Sequence, residues 1–213
     1  TIKNHIDADG LKSNIIFLGD NIYPKGLPEE QSNNRDQAEI RIHPQLELAK
    51  QVSGNAYFLP GNHDWERGKK NGLNTLFNEE DYIEAFLNNG NTFLPDSGCP
   101  GPIVIDLDKT LVLVAIDVQY WLHRHEKDTG EKICLSFTKA DFIQKIKSII
   151  REARGKTILM VAHHPLHSNG NHGGYFSLKS HLFPLTDIHP VLFFPLPVLG
   201  TIYVMGRKYF GTN

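Results

Sequence analysis

Three short, unbroken apolar runs stop abruptly at clusters of Gly, Asn, Asp or His: Asn14–Leu18 (NIIFL), Ala56–Leu59 (AYFL) and Thr157–Ala162 (TILMVA). They are too short for helices and continuous rather than alternating, which is the pattern of strands covered on both faces. Stretches of helical composition lie between them. Gln37–Val52 is one, with a break predicted at Pro44. Glu79–Leu87 is a second, spaced on Tyr82, Ala85 and Phe86. Thr138–Ala153 is the clearest, with Ala140, Phe142, Ile143, Ile146, Ile149 and Ile150 on one face and Gly155 just past its end. Ile103–Asp106 and Leu111–Ile116 read as a hairpin joined through Asp108 and Lys109. Buried strands alternating with helices predict a layered α/β fold. In such folds function gathers at the carboxyl ends of the strands.

The 213 residues suffice for one domain, and an apolar content of 40% can fill its core. With 22 basic against 24 acidic residues, net −2, nothing favours a surface that coats nucleic acid. The longest apolar stretch, Val191–Val204, is interrupted by Pro195, Pro197 and Gly200. It falls short of the roughly 18 residues that span a bilayer, so it predicts packed loops and no transmembrane segment. No element is predicted beyond Leu182, and the Pro- and aromatic-rich Phe183–Tyr203 reads as a lid or an interface. Cys99 and Cys134 form no CxxC pair. They are either two buried thiols or one disulfide, and the disulfide would imply an oxidising compartment.

The three strand ends carry one kind of chemistry. The first is Gly19-Asp20-Asn21-Ile22-Tyr23, a carboxylate at a strand tip with a phenol three residues on, hard oxygen donors suited to Fe(III), Mn or Zn. A plain turn would also use Gly, Asp and Asn. The second is Gly61-Asn62-His63-Asp64. The Asn62 side-chain oxygen can ligate a metal, His63 can donate a proton to a leaving group, and Asp64 can hold the His63 ring and tautomer. The third is His163-His164-Pro165 followed by Ser168-Asn169-Gly170-Asn171-His172-Gly173. Adjacent residues of an extended chain point to opposite faces, so His163 and His164 do not both serve one site. Of eleven histidines, His163, His164, His167 and His172 crowd into this stretch. His5, His43, His123, His125, His181 and His189 read as ordinary polar residues, His123 and His125 on an exposed loop.

Taken together, GDNIY, GNHD, VAHHP and SNGNHG resemble the calcineurin-like metallophosphoesterases, and among them the purple-acid-phosphatase-like branch, which the Tyr three after the Asp singles out. The resemblance implies a layered α/β/β/α metallophosphoesterase-type sandwich and two metal ions, Fe with Zn, Mn or a second Fe. It implies that Asp20 bridges the metals, that Tyr23 and Asn62 are ligands, and that His163 is a further one. His163 is preferred to His164 for its distance from Pro165 and from His172. His63 and His172 would stabilise phosphate and protonate the leaving group, with Asp64 orienting His63. Asn171 stands where some relatives carry Glu. An extracytoplasmic setting is also implied.

The implied activity is hydrolysis of a small phosphate monoester by a metal-bound hydroxide, the metals lowering the pKa of the attacking water. Two alternatives stand beside it. One is a phosphodiesterase or nucleotide pyrophosphatase of the same family. The other is a non-catalytic domain with a residual metal site. The second arises because the family opens with an Asp-containing strand motif and closes with GHxH, and neither is recognisable here. The segment His5-Ile6-Asp7-Ala8-Asp9 has suitable residues but no strand. The expectation is therefore a single domain over 1–213, incomplete at both ends.

Overall fold

The computed structural model describes residues 13–125, 134, 138–166 and 176–210. Its contacts gather into two compact units, Thr1–His164 and Pro165–Asn213. In the first unit β1 (Ile15–Phe17) pairs in parallel with β2 (Ala56–Phe58), with Ile16 opposite Tyr57. Parallel strands need a crossover, and α1 (Arg35–Ala49) supplies it. A second sheet runs β3 (Ile103–Asp106), β4 (Leu111–Ala115), β5 (Thr157–Val161). Within it β3 and β4 form the predicted antiparallel hairpin, while β4 and β5 are parallel. The short helix α3 (Gln119–Leu122) and the longer α4 (Lys139–Glu152) lie between them in sequence.

Side-chain alternation along these strands builds the layers. Ile15, Phe17, Ala56 and Phe58 point to one face of the first sheet. There they pack on Ile42 and Leu46 of α1 and on Leu76 and Ile83 of α2 (Gly72–Leu87). Phe17 and Phe58 stack with ring centroids 4.3 Å apart. The alternate residues, Ile16, Tyr57 and Leu59, meet Leu113, Ala115 and Ile103 between the sheets. On the far face of the second sheet Val112, Val114 and Ile158 pack on Phe142, Ile146 and Ile149 of α4. The result is the mixed α/β arrangement expected, helices outside and two sheets within. Each fully buried Phe, Leu or Ile in it is worth about 1.5–3 kcal/mol. The start of α4 is fixed by a capping box: Thr138 accepts from the Asp141 N–H, and the Asp141 carboxylate accepts from the Thr138 N–H.

Several local expectations are corrected. Pro44 does not break α1, which runs on through it. The hydrogen bond it forgoes belongs to the carbonyl of Ile40, and both residues lie on the exposed side of the helix, where water can take that place. Burial on both faces holds for β2, whereas β5 leaves Leu159 42% exposed. His123 is not on an exposed loop but buried against Trp65, ring centroids 4.9 Å apart. His125 is exposed as expected.

Cys99 and Cys134 are joined in a disulfide, with Cα atoms 5.6 Å apart, so the two-thiol alternative falls. Closing a 35-residue separation restrains the unfolded chain by about 3–4 kcal/mol. Reduction is therefore expected to lower the urea midpoint by the equivalent of that figure. Equal midpoints with and without reductant would show the bond contributing nothing.

The second unit holds α5 (Leu178–Leu182), a 3₁₀ turn at Pro184–Asp187 and α6 (Pro197–Phe210). The packed loops expected over Val191–Val204 are thus overturned in part. Pro197 opens α6 instead of breaking it, the position where its fixed φ and missing N–H are harmless. Gly200 lets α6 approach the His181 carbonyl, which an added Cβ would strike.

Candidate metal centre

The end of β1 turns sharply. Gly19 (φ 89°) and Asp20 (φ 56°) both adopt left-handed backbone, rare for a residue with a side chain and tolerated best by Asn and Asp. A Cβ on Gly19 would come within 2.7 Å of the Gly61 nitrogen and 2.8 Å of His163 Nδ1. The turns after β1 and β2 are therefore packed backbone to backbone, the His163 ring after β5 closes on both, and three sequence-distant motifs meet.

Asp20 sits at their junction. Its Oδ1 accepts the backbone N–H of His63 at 2.9 Å, and its Oδ2 accepts the Tyr23 hydroxyl at 2.8 Å. The first effect of that hydroxyl bond, reinforced by burial, is to raise the Tyr23 pKa above the ordinary phenol value. His163 Nδ1 lies 2.7 Å from the Leu18 carbonyl, which can only accept. Nδ1 therefore carries the proton, and in the neutral ring Nε2 presents a lone pair. That lone pair faces Asn62 Oδ1 at 3.2 Å and Asp20 Oδ1 at 3.4 Å. In that tautomer three acceptor atoms face one another, only Asp20 Oδ1 having a donor, the His63 N–H, and this is an arrangement a cation satisfies. The residues present thus fit a metal. Among the described residues no group of three or more His, Cys, Asp and Glu could hold one, so the fit depends on the Asn62 amide and the Tyr23 phenol.

His164, next in sequence, has its ring 5.0 Å from that of His163, edge to face. Burial first, then the neighbouring His163, pushes its pKa below the ordinary histidine value, and its buried Nδ1 has no hydrogen-bond partner. His63 lies across the site, its ring against Tyr23 at 4.0 Å and Nε2 3.9 Å from Asp20 Oδ2. Its Nδ1 donates to the Pro24 carbonyl at 2.8 Å. The ring is thus held by a backbone carbonyl and not by Asp64, the residue expected to orient it.

Asp64 is fully buried and does a different job. It accepts from the backbone N–H groups of Gly61 (2.7 Å), Ile22 (3.2 Å) and Asn21 (3.3 Å), stitching the turn after β1 to the turn after β2. Burial pushes its pKa up to about 6, against the lowering effect of those three bonds. Beside it, Glu79 of α2 is also fully buried and accepts from Asn21 Nδ2 at 3.0 Å. Burial first, then the Asp64 charge, raises Glu79 well above the usual carboxyl range and favours its protonated form. Sequence reasoning passed over Glu79 and Asn21. The available signal was a Glu on the apolar face of a helix, at the spacing Leu76, Glu79, Ile83. Because burial favours the protonated form of Glu79 and glutamine keeps its shape and its acceptor for Asn21, Glu79→Gln is expected to stay within about 1 kcal/mol of wild type. Glu79→Ala, which leaves a cavity and one fewer acceptor for Asn21, should lose about 2–4 kcal/mol. Urea unfolding that ranked the two variants together would contradict this account.

Of the expected site residues, Asp20, Tyr23, Asn62, His63, Asp64 and His163 are brought together. His172 lies outside the described residues, as do Asn171 and the His5–Asp9 segment. The family model for calcineurin-like phosphoesterase matches residues 4–193. The chain therefore belongs to the calcineurin-like phosphoesterases, a family of metal-dependent phosphoester hydrolases that generally bind two metal ions. Searches of curated proteins and of solved structures returned no match.

Proposed function

We propose that this domain hydrolyses small phosphate monoesters at a two-metal centre of the purple-acid-phosphatase-like kind. The observation that carries the reading is the convergence of Asp20 Oδ1, Asn62 Oδ1 and His163 Nε2, with the Tyr23 hydroxyl on the other Asp20 oxygen. The phenol beside the shared carboxylate supports the branch and supports iron as one of the two metals, with Zn, Mn or a second Fe beside it. Asp20 would be shared between the two cations, with Tyr23, Asn62 and His163 as further ligands. Metals bound there would supply positive charge to the phosphoryl oxygens and lower the pKa of water.

The remaining chemistry belongs to the chain itself. Pro24 fixes the His63 ring through Nδ1, and Tyr23 packs against one of its faces, so Nε2 is the nitrogen left to serve the substrate. As the imidazolium it can give its proton to the departing alkoxide, the step that governs release of a poor leaving group. Asp64 holds the two turns in register through their N–H groups, and Glu79 braces Asn21 from below. His172 would add a second phosphate contact.

Metal analysis of protein purified without chelator, run beside turnover of 4-nitrophenyl phosphate and of a cyclic nucleotide, tests the reading. Two equivalents with iron among them, and preference for the monoester, are expected. Preference for the cyclic diester would favour the phosphodiesterase alternative, and one bound metal or none, without turnover, would favour the non-catalytic one. His163→Ala should lose at least one equivalent, while His164→Ala should keep both. Equal loss from the two variants would remove His163 from the ligand set.

A further inference from the structure

A cavity of about 590 Å³, a size typical of small-ligand sites, has Tyr23 in common with the ligand cluster, whereas Asp20, Asn62, His63 and His163 do not line it. Tyr23 and Pro24 line it. These residues contact the His63 ring, one by its own ring and one by its carbonyl. With the phosphoryl group held by the cluster and the leaving oxygen at His63, the rest of the substrate has this cavity as its neighbouring space.

The wall has a definite chemistry. Lys25 and Arg41 are balanced by Glu29 and Glu66, so it offers no net charge to a polyanion. Among the described residues that line it there is no Leu, Ile, Val, Met or Phe, so it offers little to an alkyl chain. Gln37 and Asn71 are uncharged amides on this wall, Gln37 with a donor and an acceptor and Asn71 with its Nδ2 donors, its Oδ1 accepting from Asn74 at 2.9 Å. Arg41 also donates to the Tyr23 carbonyl at 2.7 Å, which ties this wall to the turn that carries the phenol.

We propose that the cavity receives the leaving group and selects an uncharged, polyhydroxylated alcohol, so that the substrates are sugar-phosphate-type monoesters. This rests on the phosphomonoesterase reading above and narrows it.

The test is a comparison of kcat/KM for glucose 6-phosphate, n-hexyl phosphate and ATP, with 4-nitrophenyl phosphate as the generic ester. The sugar and hexyl esters both release a primary alcohol, so their ratio reports contacts beyond the phosphate. Glucose 6-phosphate is expected to exceed hexyl phosphate by roughly tenfold or more, the scale of one or two hydrogen bonds made only by the hydroxylated group. ATP is expected to trail the sugar phosphate. Gln37→Leu and Asn71→Leu should each shift the sugar-to-hexyl ratio toward the hexyl ester by about tenfold. A fold defect would lower both esters together and leave the ratio in place. Hydrolysis of 4-nitrophenyl phosphate with a sugar-to-hexyl ratio of one or below, or with ATP preferred, overturns this inference alone. No turnover of any ester overturns the phosphomonoesterase reading and this inference with it.

Discussion

Asp20→Asn is expected to cut kcat/KM for phosphate esters by roughly a thousandfold or more while the domain stays folded. The variant separates charge from shape. Asparagine accepts left-handed backbone at least as readily as aspartate, so φ 56° costs it nothing extra. Its side-chain oxygen can still take the His63 N–H that Asp20 Oδ1 takes at 2.9 Å, and its amide can donate to the Tyr23 hydroxyl oxygen. The thermal midpoint should therefore move by less than the equivalent of about 1 kcal/mol. What disappears is the anionic oxygen among the three acceptors, and with it the ligand best able to be shared by two cations. Turnover within a few fold of wild type would sink the metal-centre reading. Asp20→Ala is the less informative choice, since it also releases His63 and Tyr23.

The second large effect is on stability against pH. Asp117 is fully buried, and burial pushes its pKa up to about 7, although it accepts from Trp65 Nε1–H at 2.8 Å and from the N–H groups of Gln119 and Tyr120. The folded state holds this proton where the unfolded chain, with a carboxyl near 3.8, has released it. The associated stability is fully present below about pH 4 and is lost as pH rises through about 7. From pH 8 down to pH 5 wild type should gain on the order of 2–4 kcal/mol relative to Asp117→Asn, which cannot titrate. Asp64 and Glu79 act in the same direction. Asp108 and Asp141, whose carboxyls are lowered first by bonds to Thr110 and Thr138 respectively, act in the opposite one. Taking the difference between wild type and variant removes the groups that titrate independently of Asp117, leaving only the coupling to the Asp64 charge. Parallel pH profiles of the urea midpoint for the two proteins would refute the account.

What the sequence made legible follows from how local each signal is. NIIFL, AYFL and TILMVA announce strands because a short solid apolar run has few other uses, and the polar residue ending each run is fixed by the chain itself. That is why Asp20, Asn62 and the His163–His164 pair could be placed at strand ends before any contact was known, while the choice of His163 came from the family resemblance. The partner of Asp64 was not legible in this way. Following His63 directly, it looks like that ring's support, yet its bonds go to Ile22 and Asn21, 42 and 43 residues back. Only the close approach of two turns, permitted by Gly19 and Gly61, creates that option. Glu79 was hidden for the same reason, since a buried acid in a helix declares itself only through what lies above it. At Pro44 and Pro197 the breaker rule lost to position: one faces solvent and the other starts a helix.

The bond from His163 to the Leu18 carbonyl spans 145 residues of chain and joins the last strand of one sheet to the first strand of the other. A cation held by Asp20 and His163 would act at that same seam as a removable cross-link. Because the folded chain alone brings these ligands together, the metal would stabilise the closed seam by mass action, in proportion to its occupancy. Metal loading would then tune the mechanical coupling of the two sheets as well as the chemistry. Stripping the metal should raise hydrogen exchange first along β1 and β5, while the β3–β4 hairpin, which closes locally, stays protected.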